Sequence, residues 1–214
     1  MLKQTVNTDT SVTTFGLIRH GTTIWNEKKK IQGHKNSPLT PKGISLARQW
    51  GMDLKKISWD LIIASDLGRA METAQYINEA LNVPIISDHK LIEQDFGSWA
   101  GKTIQQIIAI SSDMLLSQQE AGWNFCPPNG EKRSSIWKRS SKALINAHGK
   151  WPNSKILVIS HEGVIKSLIY KLSGRLFLPS EPALLKERYL HFIKCNWKGL
   201  QIKQINAVKL ATAN

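Results

Sequence analysis

Two histidines in this 214-residue sequence each follow a short apolar run and stand near a glycine. His20 follows the run Thr13–Arg19, and His161 follows the run 156–160. One buried histidine after a strand is most often a satisfied core residue, but two at the ends of two strands suggest a shared site. Arg19 strengthens the prediction of a shared site, because a buried guanidinium beside an imidazole is costly unless an anion pairs with it. The residue types therefore indicate an anion-binding site that contains two imidazoles.

Alternating strands and helices must position these side chains. Buried strands are predicted at 13–19, 61–64 and 156–160, because each is a short apolar run bounded by turn residues. A helix is predicted to start at Thr40-Pro41, with threonine as its cap and proline at its first position. We expect Ser65 or Asp66 to cap the next helix. The remaining predicted elements are an edge strand at 83–86, helices at 134–148 and 163–172, and a hairpin of 189–194 with 200–205.

This alternation predicts the fold class α/β, as a three-layer α/β/α sandwich around a mostly parallel sheet. In such sheets ligands bind beyond the carboxyl ends of the strands. Arg19 and His20 follow the first predicted strand, the segment 65–69 follows the second, and His161 follows the third. We therefore expect these residues to meet at one edge of the sheet.

The composition favours a small anionic ligand. Lys and Arg total 29 against 16 Asp and Glu, a net charge of +13 that favours phosphate esters and other anions. No zinc-finger, leucine-zipper or aromatic RNA-binding motif is present, so nucleic acid is not a predicted partner. Two cysteines exclude a disulfide scaffold and a four-cysteine zinc site, and no histidine pairs with carboxylates at metal-ligand spacing. We therefore predict no metal site.

A cytoplasmic location without membrane contact is the expectation from the hydropathy pattern. The longest aliphatic runs, such as 156–159, have the length of a strand and are too short to span a bilayer. Residues 1–7 contain no apolar stretch of signal-peptide length.

Five sequence blocks, in order, resemble the signature of the histidine phosphatase superfamily, which has the phosphoglycerate mutase-like fold. They span residues 15–172 and are far more specific together than an Arg-His-Gly triplet alone. The blocks are Leu17-Ile18-Arg19-His20-Gly21-Thr22-Thr23-Ile24-Trp25-Asn26, Leu39-Thr40-Pro41-Lys42-Gly43, Ser65-Asp66-Leu67-Gly68-Arg69-Ala70-Met71-Glu72-Thr73-Ala74, Leu91-Ile92-Glu93-Gln94-Asp95-Phe96-Gly97-Ser98-Trp99-Ala100-Gly101 and Ser160-His161-Glu162-Gly163.

The resemblance implies a role for each matching residue. His20 would be the nucleophile that accepts the phosphoryl group, because a neutral imidazole is available near pH 7 without a further base. Its other ring nitrogen would be held by a backbone carbonyl. A cationic pocket suits phosphoryl transfer, which needs charge stabilisation and positioning above all. The implied catalytic and phosphate-binding residues of that pocket are Arg19, Asn26, Arg69, His161 and Gly163.

Two carboxyl groups compete for the role of general acid. The resemblance implies Glu93, which lies in the block that begins at Leu91. Glu162 directly follows His161, where an acidic residue donates the proton in the acid-phosphatase branch. We favour Glu93, because its block fits the other branch.

The resemblance favours a phosphatase that hydrolyses a small phosphomonoester without a cofactor. Phosphoglycerate mutases carry Arg and Tyr shortly after the acid, where this sequence has Gln94 and Phe96. A mutase is the first alternative, and a non-catalytic protein that binds a phosphorylated ligand is the second. One domain over 1–214 is expected, with a substrate-selecting lid at roughly 88–152. The resemblance does not determine the physiological substrate or the oligomeric state.

Overall fold

The predicted apolar runs form the centre of a six-stranded sheet in a computed structural model that describes residues 10–212. The strands are β1 (Thr13–Arg19), β2 (Leu61–Ala64), β3 (Ile85–Ser87), β4 (Lys155–Ser160), β5 (Tyr189–Asn196) and β6 (Gly199–Lys209). Their order is β3-β2-β4-β1-β5-β6, and the four strands from β3 to β1 are parallel. The antiparallel pair β5 and β6 continues the sheet beyond β1. The edge position predicted for the strand at 83–86 is confirmed, although β3 begins at Ile85, after Pro84.

Helices cover both faces of the sheet and confirm the three-layer architecture. The α-helices are α1 (Ile24–Glu27), α2 (Pro41–Leu54), α3 (Gly68–Leu81), α4 (Ile104–Glu120), α5 (Arg133–Lys150) and α6 (Glu162–Leu172). Short 3-10 helices lie at His89–Leu91, Gly97–Trp99 and Gly122–Asn124. The predicted start of α2 is confirmed, because the Thr40 side chain accepts the Gly43 N–H and Pro41 is the first helical residue.

Two apolar layers fix the sheet between these helices. On one face, Leu54 of α2 and Ile77 of α3 share a buried cluster with Leu157 of β4. On the other face, Leu144 of α5 and Leu168 of α6 pack in a cluster with residues of β1 and β4. Side chains alternate between the faces of a strand, so buried parallel strands are apolar on both sides. The carboxyl ends of β1, β2 and β4 are thereby held together at one edge.

The prediction that Ser65 or Asp66 caps the second long helix is wrong. The cap position of α3 is Leu67, whose side chain makes no capping hydrogen bond. Ser65 Oγ instead accepts the Leu67 N–H and contacts His161 Nε2. The serine is therefore used by the site beyond the strand.

The segment 88–152 separates into two parts with different packing. Trp99, Ile107, Leu115 and Phe125 form a small apolar cluster of their own. By contrast, α5 contributes Ile136 and Leu144 to the main core beneath the sheet. The small cluster therefore lies apart from the main core, to which α5 belongs.

Residues 1–7, on which the expectation about a targeting segment rests, lie outside the described residues. Across 10–212, no helix is both long and apolar enough to cross a bilayer.

Candidate active site

His20 presents one unprotonated ring nitrogen to the site. It follows β1 directly, and its N–H donates to the Ser160 carbonyl at 2.9 Å, which continues the pairing with β4. The ring is 5% exposed, and its Nδ1 lies 2.7 Å from the Gly21 carbonyl oxygen. Because a carbonyl only accepts, Nδ1 carries the proton and Nε2 is the lone-pair nitrogen. The expected backbone contact is therefore present in the structure.

Arg69 lies against that nitrogen. It is in the first turn of α3, is 1% exposed, and its Nε donates to His20 Nε2 at 3.2 Å. Its two terminal nitrogens donate to the carbonyls of Gly33, at 2.8 Å, and Lys35, at 3.0 Å. Burial lowers the pKa of Arg69 to about 10, so the guanidinium is still charged at neutral pH. These two contacts are made by backbone carbonyls, which every residue type possesses, so the sequence of the loop does not indicate them.

His161 is the second imidazole of the site. Its ring centroid lies 5.1 Å from that of His20, and its Nε2 lies 2.8 Å from Ser65 Oγ. Ser65 Oγ also accepts the Leu67 N–H. The buried Nδ1 of His161 has no hydrogen-bond partner within residues 10–212. An unpartnered buried polar atom is expected where a ligand binds.

Burial and the surrounding charges keep both imidazoles neutral. Burial, followed by Arg19 and Arg69, holds the pKa of His20 well below its usual range, although the Gly21 carbonyl acts to raise it. Burial, followed by His20, Arg69 and Arg19, lowers the pKa of His161 in the same direction. A neutral imidazole is nucleophilic, so the environment favours the form of His20 that can attack an electrophile.

Arg19 and Glu162 form an ion pair at the exposed side of the site. Arg19 Nη1 donates to Glu162 Oε2 at 2.6 Å, and Lys166 pairs with the other carboxylate oxygen. Burial acts to raise the pKa of Glu162, but Arg19 and Lys166 outweigh it and lower the pKa below its usual value. Glu162 is therefore an ionised partner of two cations, which is a poor state for donating a proton.

The pKa of Glu93 is shifted in the opposite direction to that of Glu162. It lies in the loop after the 3-10 helix His89–Leu91, and its carboxylate accepts the N–H groups of Gln94, at 2.8 Å, and Gly163, at 3.3 Å. Burial raises the pKa of Glu93, against those two N–H groups and the charges of Arg19 and Arg69. A raised pKa suits a carboxyl group that donates and then accepts a proton.

Gly163 and Asn26 use their polar groups within the protein. A side chain at position 163 would collide with the Glu93 carboxylate, so glycine permits this close approach. Phosphate binding by Gly163 stays a prediction, since its N–H is engaged by Glu93. Asn26 Oδ1 accepts the N–H and hydroxyl of Thr23 in the capping box of α1. Its amide nitrogen is the group left for a ligand.

A cavity of about 530 Å³ opens onto this site. Its lining includes Arg19, His20 and Asn26, and also residues between 183 and 191, among them Lys186 and Arg188. The sequence does not indicate a role for these residues, because isolated lysines and arginines on a surface carry no positional signal. Within residues 10–212, no group of three or more His, Cys, Asp or Glu side chains is arranged to hold a metal ion.

Comparisons with known proteins extend this description. The model of the histidine phosphatase superfamily (branch 1) matches residues 15–183. Over 158 residues the chain is 33% identical to the uncharacterized phosphatase PhoE of Bacillus subtilis, covering 74% of this chain and 76% of that protein. It is 32% identical over 197 residues to a probable phosphoglycerate mutase, GpmB of Cronobacter sakazakii, covering 88% and 84%.

A solved structure shares the fold. YhfR of Bacillus stearothermophilus superposes with a TM-score of 0.83 at 28% identity, covering 92% of this chain and 98% of that chain.

Proposed function

The chain belongs to branch 1 of the histidine phosphatase superfamily, and from this membership we propose that it hydrolyses a small phosphomonoester through a phosphohistidine on His20. One observation carries the proposal most directly. Nε2 of His20 is unprotonated and accepts a hydrogen bond from Arg69 Nε, and the ring lies 5.1 Å from that of His161, whose buried Nδ1 has no partner among the described residues. An unprotonated imidazole nitrogen beside a guanidinium suits an electrophile that carries negatively charged oxygens.

In the first step, Nε2 of His20 bonds to phosphorus while the bond from phosphorus to the leaving oxygen breaks. Glu93 gives its proton to that oxygen, so the product leaves as an alcohol. In the second step, Glu93 takes a proton from water, and the water oxygen bonds to phosphorus. The N–P bond breaks, its electron pair returns to His20, and phosphate is released. Glu93 thus acts first as acid and then as base.

The cations and amides around His20 would hold the phosphoryl oxygens. Arg69 offers a buried guanidinium, His161 its unpartnered Nδ1, and Asn26 its amide nitrogen. Arg19 reaches the same site once its pairing with Glu162 is shared with the substrate. Arginine suits this role, because its planar fork matches two phosphate oxygens at once.

The residues after Glu93 favour water over a second phosphoglycerate as the final acceptor. Gln94 is buried, and its side-chain amide donates to the Glu131 carbonyl at 2.7 Å. Phe96 packs against the cluster around Trp99 and Phe125. Neither is free to hold the carboxylate of a phosphoglycerate, so the phosphatase is favoured over the mutase. A purely binding role is disfavoured because every group that the chemistry needs is present.

We propose a single domain in which roughly residues 95–131 form the lid. This segment has its own apolar cluster and lies outside the main core. Cytoplasmic action on a small anionic substrate, without nucleic acid or membrane as partner, fits the net charge and the two unpaired cysteines, Cys126 and Cys195.

Hydrolysis of para-nitrophenyl phosphate in a buffer with excess chelator tests the proposal. We expect turnover that the chelator does not reduce and that vanadate inhibits competitively. Transfer to a second phosphoglycerate in place of water would identify a mutase. Tight phosphate binding with no turnover of any phosphomonoester would identify a binding protein.

A further inference from the structure

Glu93 is not part of a regular element, so something else must fix its position. It lies between the 3-10 helices His89–Leu91 and Gly97–Trp99. A general acid must be held close to its productive geometry, because a displacement of about 1 Å can cost about 10²-fold in rate. The contacts of the surrounding backbone therefore decide whether this carboxyl group can reach the leaving oxygen.

Arg139 of α5 spans this loop with one guanidinium group. Its Nη1 donates to the Lys90 carbonyl at 2.8 Å, and its Nη2 donates to the Glu93 carbonyl at 2.9 Å. The remaining face of the fork binds both carboxylate oxygens of Glu131, at 2.8 and 2.9 Å. Both side chains of this ion pair are largely buried. Arginine thus connects the core helix to the backbone of the proposed acid itself.

Glu131 holds the other side of the same loop. Its N–H donates to the Asp95 carbonyl at 2.8 Å, and its carbonyl accepts the Gln94 side chain. Residues 90, 93, 94 and 95 are therefore each hydrogen-bonded to Arg139 or Glu131. His34 adds one more contact, since its Nε2 lies 3.0 Å from the Glu93 carbonyl oxygen.

We propose that Arg139 is a positioning residue for catalysis, which holds the Glu93 carboxyl group in line with the leaving oxygen. The inference rests on the proposed function and assigns no contact between Arg139 and the substrate. The role requires arginine, because only a planar guanidinium group can donate to two carbonyls and a carboxylate together. A lysine keeps the charge but cannot make this set of bonds.

Arg139→Lys tests the proposal against a purely structural role. The measured quantity is kcat/KM for an alkyl phosphate, which needs a proton on its leaving oxygen, and for para-nitrophenyl phosphate, which needs it far less. We expect a loss of about 10- to 10²-fold for the alkyl phosphate, through kcat, and a much smaller loss for the aryl ester. The affinity for vanadate should stay unchanged, since the phosphate pocket is intact.

Arg48→Lys is the matched control. Arg48 binds both oxygens of Glu79, at 2.8 and 3.2 Å, in a pair that is about half exposed on the helical surface. This variant removes a comparable arginine–carboxylate pair that makes no contact with the Glu93 loop. Both substrates should therefore be hydrolysed at wild-type rates. Glu131→Gln is a second test of the buried pair and should show the same substrate-dependent loss as Arg139→Lys.

Equal losses on both substrates, or no loss in either buried-pair variant, would overturn the positioning role while leaving the phosphatase intact. If Arg139→Lys fails to fold, Glu131→Gln decides by the same criterion. Absence of hydrolysis by the wild type would overturn the proposed function and this inference together.

Discussion

His20→Ala is expected to lower kcat by at least about 10⁴-fold, as removal of a covalent nucleophile does in other enzymes. We expect no other group on the described part of the site to replace it, because the ring of His161 lies 5.1 Å from that of His20 and does not occupy the position from which His20 would attack. The remaining cations would still bind the phosphoryl group, so vanadate should bind the variant. Initial rates with para-nitrophenyl phosphate at saturating substrate measure the effect.

His148→Ala is the control for this variant. His148 contacts Thr13 Oγ at 2.8 Å, near the start of β1, whereas His20 follows the end of that strand. Turnover by this control should be close to wild type. Retention of more than about a tenth of the wild-type kcat by His20→Ala would be incompatible with an essential nucleophile.

Glu93→Gln is expected to slow an alkyl phosphate by about 10²- to 10⁴-fold, the usual contribution of a positioned general acid. Glutamine keeps the shape of the side chain but has no proton to give to the leaving oxygen. With para-nitrophenyl phosphate the first step needs little protonation, so the loss should be much smaller. The ratio of the two losses, measured as kcat/KM, is the quantity to compare.

Glu162→Gln separates the two candidate acids. Glu162 is ionised and paired with Arg19 and Lys166, so its removal should alter substrate affinity and change both substrates alike. A substrate-dependent loss in Glu162→Gln, with none in Glu93→Gln, would reverse the assignment. The protein would then use the proton donor of the acid-phosphatase branch.

The strands and the residues that follow them could be predicted from sequence because their signal is local. Each buried strand is a short apolar run, and the parallel order brings the residues after β1, β2 and β4 to one edge. The meeting of His20 with His161 follows from that rule. The raised pKa of Glu93 and the lowered pKa of Glu162 came only with the structure, because both depend on burial and on which cations lie nearby.

The supports of the site could not be predicted, because they are made by the backbone or by distant pairs. Gly33 and Lys35 hold Arg69 through carbonyl oxygens, which every residue type possesses. Ser65 has the sequence pattern of a helix cap but contacts His161, which follows the neighbouring strand β4. Arg139 lies 46 residues from Glu93, and nothing in the local sequence indicates that the two meet.

Trapping the intermediate tests the central claim most directly. The enzyme is mixed with a phosphomonoester labelled in its phosphoryl group, quenched in alkali within the first turnovers, digested and analysed by mass spectrometry. We predict an acid-labile, alkali-stable phosphoryl group on the ring of His20, and none in His20→Ala. A phosphoryl group on another residue, or steady hydrolysis with no labelled protein at any quench time, would contradict a phosphohistidine mechanism at His20.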